Sequence, residues 1–87
     1  MTVAEDLADA LARDVLAALD ELGDDRFYEN VAKVIGDTSP TTQEAFLTAI
    51  RVRLAEGRGR RFLEAALKAK RGGGTAPVAP RGSDSGH

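Results

Sequence analysis

The sequence predicts an all-α fold: short helices packed on one long C-terminal helix as a helical hairpin, followed by a disordered tail. Three observations predict it. Apolar residues recur at spacings of three and four in three separate segments, the period of a helix with one buried face. Helix start and stop signals bracket those segments. Ala, Leu, Arg, Glu and Asp dominate, while aromatic residues make up only 5% of the 87 residues. That composition forms helices and offers few β-branched runs.

The first helix is predicted over residues 3–22. Thr2 and Glu5 form a Thr-x-x-Glu capping box, in which each residue satisfies a backbone N–H at the helix start. Leu7, Leu11 and Val15 follow at spacing four, and Leu16, Leu19 and Leu22 widen the stripe. Glu5, Asp6 and Asp9 suit the positive end of the helix dipole. Gly23 suits the left-handed position just past a helix end.

The pattern restarts in DDRFYENVAKVIG. Asp24 or Asp25 is expected to cap it. Phe27, Val31, Val34 and Ile35 form an apolar face with Tyr28 at its edge, and Gly36 is expected to close the helix as Gly23 closes the first.

Ser39 followed by Pro40 marks the third start, because serine caps well and proline needs no N–H at the first helical position. Phe46, Leu47, Ile50 and Leu54 share one face, and apolar positions resume at Phe62, Leu63, Ala66 and Leu67. The helix is expected to run from Pro40 to about Lys70. Gly57 and Gly59 interrupt it, each at a cost of about 1 kcal/mol relative to alanine. Two readings follow. In one, the helix is continuous and Gly57, beside Phe46, Ile50 and Leu54 on a helical wheel, is a notch where another backbone comes close. In the other, the glycines mark a local kink. The continuous helix is the expectation.

From Arg71 the text becomes RGGGTAPVAPRGSDSGH and periodicity is lost. Residues 1–71 therefore read as a helical oligomerisation and interaction domain, and residues 72–87 as a disordered Gly/Pro/Ser-rich tail.

A chain this short buries a small share of its surface and is marginally stable alone. It has no cysteine, so disulfides and thiolate metal sites are excluded. Self-association is the favoured remedy. No apolar stretch approaches the ~20 residues of a membrane span, and the start MTVAEDLADA lacks the basic region of a signal peptide. The expectation is a cytoplasmic protein without a membrane partner.

The net charge of −2 conceals an asymmetry. Residues 1–40 carry ten acids and three bases, and residues 41–87 carry four acids and nine bases. Two antiparallel halves that complement each other would account for this. So would a basic half that meets nucleic acid or an acidic partner.

Catalytic chemistry finds little to work with. The one histidine, His87, is the last residue. No Glu-x-x-His pair for a dimetal bundle and no phosphate-binding glycine loop is present. Ser39, Thr41 and Thr42 have no evident base. The sequence predicts a non-enzyme with no catalytic residues, no metal and no cofactor.

Two features remain. In VAKVIGDTSPTTQEAF, Ala32 precedes Gly36 by four residues, a spacing found in helix-turn-helix corners. Thr41, Thr42 and Gln43 would then begin a recognition helix, where polar side chains reach base edges. A plain packing corner has the same spacing, and Asp37 and Glu44 would face phosphates. The second feature is the basic series Arg51, Arg53, Arg58, Arg60, Arg61, Lys68, Lys70 and Arg71. It can contact phosphates or pair with acids on a neighbouring helix or subunit.

The stretch DDRFYENVAKVIGDTSPTTQEAFLTAIRVRLAEGRGRRFLEAAL resembles small terminase-type proteins of phage-like gene transfer agents. The resemblance covers about residues 14–70. It rests on the short acidic lead helix, the Ser-Pro helix start and the QEAFLTAIRVR helix. It implies a non-enzymatic DNA-packaging subunit that forms oligomeric rings, engages double-stranded DNA and presents it to a large terminase, which supplies ATPase and nuclease. The Phe46–Leu67 helix would build the homo-oligomer, with Phe46, Ile50, Leu54, Gly57 and Phe62 in the packing. Arg51, Arg53, Arg58, Arg60 and Arg61 would contact DNA or a neighbouring subunit, and the tail would meet the large terminase. A separate N-terminal DNA-binding domain is missing, which points to weakly sequence-specific contact. A small helix-turn-helix regulator and a protein-only adaptor are the competing expectations.

Overall fold

The computed structural model describes residues 2–80. The chain is all-α: α1 spans Val3–Leu22, α2 spans Phe27–Gly36 and α3 spans Pro40–Lys70, with no strand among the described residues. Contacts divide it into one unit through Leu54 and a second from Ala55 onward.

The start of α1 is the expected capping box. The Glu5 N–H donates to Thr2 Oγ1 at 3.1 Å, and the Thr2 N–H donates to Glu5 Oε1 at 2.9 Å. Gly23 ends the helix in the left-handed region at φ 68°, its N–H reaching the carbonyls of Leu19 and Asp20. Ser39 caps α3 as expected: the Thr42 N–H donates to Ser39 Oγ at 3.1 Å, and the Ser39 hydroxyl donates to Thr42 Oγ1 at 2.8 Å. Helix α3 runs unbroken through Gly57 and Gly59 to Lys70. It then turns off through Gly72 at φ 93°, with the Gly73 N–H on the Lys68 carbonyl.

Two local expectations are corrected. Gly36 is the last residue of α2 and not a left-handed residue beyond it; Asp37 follows in the right-handed region. Its lack of a side chain serves packing instead. A Cβ there would lie 2.6 Å from the Gln43 side chain, so glycine makes room for that glutamine. Neither Asp24 nor Asp25 is the cap of α2. Arg26 holds that place without a side-chain bond to the helix, while Asp24 Oδ1 accepts the Arg26 N–H in a turn just before it.

The core of the first unit is built of Ala8, Ala12, Val15, Ala32, Phe46 and Ile50. On α1 the buried residues are Ala8, Ala12 and Val15, with Leu16 and Leu19 partly buried against them. Val15, Leu16 and Leu19 belong to the expected stripe, but in the first two turns Ala8 and Ala12 take the place expected for Leu7 and Leu11. Leu7 is 66% exposed and Leu11 also reaches solvent. On α2 the buried residue is Ala32, while Val34 faces outward. Small residues hold the centre because Phe46, fully buried, needs the space they leave.

In the second unit, α3 continues from Ala55 to Lys70. Residues 71–74 turn, and residues 75–80 have no regular structure. The rest of the expected tail, 81–87 with His87, lies outside the described residues.

Candidate nucleic-acid and partner interface

The basic series divides into cations held within the chain and cations turned to solvent. Arg53 is held. Its Nε and Nη2 donate to the two carboxylate oxygens of Asp9, at 2.8 and 2.9 Å, across 44 residues of sequence. This two-pronged pairing fixes both side chains in one geometry. It holds the Asp9 carboxyl below the ordinary carboxylate range: the Arg53 hydrogen bond is the largest cause, partial desolvation opposes it, and the charges of Arg53 and Arg13 add to it. Arg60 is held by Glu56 one turn earlier, at 2.8 and 2.6 Å, which raises the guanidinium pKa. The other ion pairs among the described residues are Arg13–Asp14 and Arg26–Glu29.

Arg51, Arg58, Arg61, Lys68, Lys70 and Arg71 are exposed and belong to none of these four pairs. Within the second unit, Arg61, Lys68 and Arg71 recur with Gly57 and Glu64 at alternating spacings of four and three, so all five share one helix face. Residues 55–71 carry six bases and two acids, a net +4, whereas residues 1–54 carry eleven acids and five bases, a net −6. Charge thus changes sign where the units divide.

Of the residues expected to pack an oligomer, Phe46 and Ile50 lie buried inside the first unit. They pack helices within the chain and are not available on its surface. Leu54 and Phe62 are exposed. Gly57 is a correction to the notch reading within one chain: among the described residues no other helix approaches it. A Cβ there would meet only Arg61 Nη1, at 3.4 Å, and one at Gly59 would meet nothing within 4 Å. The physical reason is that Gly57 shares its face with charged Arg61 and Glu64.

Thr41 is exposed, but the other residues expected to read bases are turned to local work. Thr42 accepts the Ser39 hydroxyl. The Gln43 amide lies over Gly36. Sequence reasoning missed both the Gly36–Gln43 contact and the Asp9–Arg53 pair. The 3.6-residue period shows which residues share a helix, not which helices meet.

An open groove of about 310 Å³ lies in the first unit, lined by Glu5, Asp9, Ala45, Thr48, Ala49 and Val52. Among the described residues, no group of three or more His, Cys, Asp or Glu side chains is placed to hold a metal ion. No helix there is long and apolar enough to cross a membrane.

Fold and surface define a class: a small all-α chain with an acidic helical unit and a basic amphipathic helix segment. No protein-family model, no curated protein and no solved structure matches it.

Proposed function

We propose that the chain is a non-enzymatic DNA-packaging subunit of the small terminase type. It self-associates in the cytoplasm, engages double-stranded DNA and presents it to a large terminase. The observation that carries this reading is the segment from Ala55 to Arg71. It combines a net charge of +4 with Phe62, Leu63 and Leu67, all at least 40% exposed. Lysine and arginine on an exposed helix face neutralise phosphates and release counterions, which gives affinity without sequence preference. Apolar side chains left in solvent beside them mark an association surface. The resemblance of residues 14–70 to small terminase-type proteins supports the same role.

The Gln43 amide over Gly36 weighs against sequence readout at the start of α3, and so against the regulator reading. Arg53, held by Asp9, contributes to DNA contact less than Arg58, Arg61, Lys68 and Arg71.

The test is fluorescence anisotropy of labelled duplexes of unrelated sequence, titrated at several salt concentrations, with absolute mass measured in parallel. Similar affinities for all duplexes are expected, falling steeply with salt. Arg61→Ala and Lys68→Ala should each reduce the log–log salt slope by about 1 if each contacts one phosphate. A monomer at all concentrations that binds no duplex at low salt would overturn the reading.

A further inference from the structure

The groove on the first unit has an acidic end and an exposed apolar wall. Glu5 and Asp9 line one side, and Val52, 61% exposed, lines the other with Ala45 and Ala49. Glu44 is exposed one turn before Thr48 on α3. The unit that carries the groove has a net charge of −6. Asp9 is already paired with Arg53, so the attraction comes from the field of the whole unit rather than from this carboxylate alone.

The second unit has a matching surface. Ala55, Gly59, Phe62 and Ala66 fall at successive spacings of four, three and four, which places them on one helix face, with Leu63 beside them. Phe62 is 40% and Leu63 is 52% exposed, and a Cβ at Gly59 would meet nothing within 4 Å. Arg58 and Lys70 border this stripe. The cationic face of Arg61, Lys68 and Arg71 lies on the other side of the helix. A partner can therefore cover the stripe while that face remains open to phosphates.

We infer that the groove lined by Glu5, Asp9, Thr48 and Val52 receives the Ala55–Ala66 stripe of a second copy of this chain. This inference rests on the self-association in the proposed function and names the two surfaces that meet. The occupant is a second copy because the acidic groove unit and the basic stripe segment have opposite charge, net −6 against +4, and both expose apolar side chains. Opposite fields steer encounter and fix orientation. The two surfaces differ, so the contact is head-to-tail. Such contacts close into rings or continue as filaments.

The test uses two full-length variants and their mixture. Val52→Lys spoils the groove and leaves the stripe; Leu63→Glu spoils the stripe and leaves the groove. Both positions are more than half exposed, so each variant should keep the wild-type circular dichroism spectrum. Thr48→Lys replaces Val52→Lys if the latter loses helix. Each variant alone should associate at least tenfold more weakly than the wild type. Mixed one to one, they retain one intact groove and one intact stripe between them, and should form a species of twice the 9.2 kDa chain mass. A wild type that associates while the mixture stays monomeric would overturn this docking and leave self-association standing. A mixture no heavier than the variants, together with a monomeric wild type, would overturn both. Duplex binding measured on the Leu63→Glu chain reports on the DNA reading separately.

Discussion

Replacing Gly57 and Gly59 together by alanine separates the local cost of these glycines from any role in assembly. Both lie inside α3, and neither has a positive φ, so alanine adopts the same backbone without strain. The added methyl at Gly59 enters open space, and that at Gly57 makes only an ordinary contact with Arg61. The folded state therefore loses nothing. The unfolded chain loses backbone freedom, which favours the helix by about 1 kcal/mol per site. The pair should contribute about 2 kcal/mol, or roughly a thirtyfold change in the local helix–coil constant at about 1.4 kcal/mol per factor of ten. Hydrogen exchange resolved over residues 55–70 reads this directly. Exchange there should slow by up to that factor, and helicity should rise. Faster exchange or lost helicity would refute the reasoning, because it would mean that the glycines hold a conformation alanine cannot adopt. Mass measured on the same sample adds an independent readout. Association that falls while the helix strengthens would place a neighbouring copy's backbone against one of the glycines.

Three further outcomes follow from the first unit. Phe46→Ala removes the one fully buried aromatic side chain and should cost about 3–5 kcal/mol, whereas Ile50→Val should cost about 0.5–1.5 kcal/mol. A unit of 54 residues is stable by about 3–8 kcal/mol. Urea titration should therefore find the alanine variant stripped of most of its stability, its midpoint moved sharply toward zero denaturant, and the valine variant folded with a small shift. Asp9 has its pKa lowered in the folded chain, mainly by Arg53, so it contributes stability above its unfolded pKa of about 3.9. That contribution is lost as pH falls through the folded value. Urea midpoints at pH 7 and pH 3 should differ more for the wild type than for Asp9→Asn; equal differences would show that the pair carries no linkage. Gly36→Ala meets only the far end of the Gln43 side chain. A rotamer change relieves that clash, and the gain in helix propensity of up to about 1 kcal/mol should leave the variant at least as stable by thermal melting. A clear loss would mean that Gln43 is pinned by its place over Gly36.

The ends of α1 and the start of α3 were legible in the sequence because residues next to the chain's own backbone groups set them. The Thr2–Glu5 box, Gly23, and Ser39 before Pro40 act within four residues, and each is found where local chemistry puts it. The role of Gly36 is not legible locally, because a glycine at a helix end has two uses, a left-handed turn or room for a neighbour. Only the fold shows that Gln43 takes the room. The core face of α1 departs from the leucine stripe in its first two turns for a related reason. Leucine weighs more than alanine in a periodicity count, yet Ala8 and Ala12 lie inside while Leu7 faces out. The basic series was legible as composition and not as a surface. Whether an arginine is held or presented depends on an acid that is four residues away for Arg60 and 44 away for Arg53.

The alanines at the centre of the first unit have a consequence for how the chain tolerates change. Around Ala8, Ala12 and Ala32 the restricting quantity is volume, since the side chains at a contact set how close two helices come. Hydropathy scales rank Ala→Leu or Ala→Ile as gains there, yet each adds atoms where Phe46 and Ile50 already fill the space. Overfilling a packed site typically costs about 1–3 kcal/mol. At Leu7 and Val34, both exposed, the order reverses: size is free and polarity is accepted. Substitution along this chain would sort by bulk at three small residues and be nearly indifferent at several large ones.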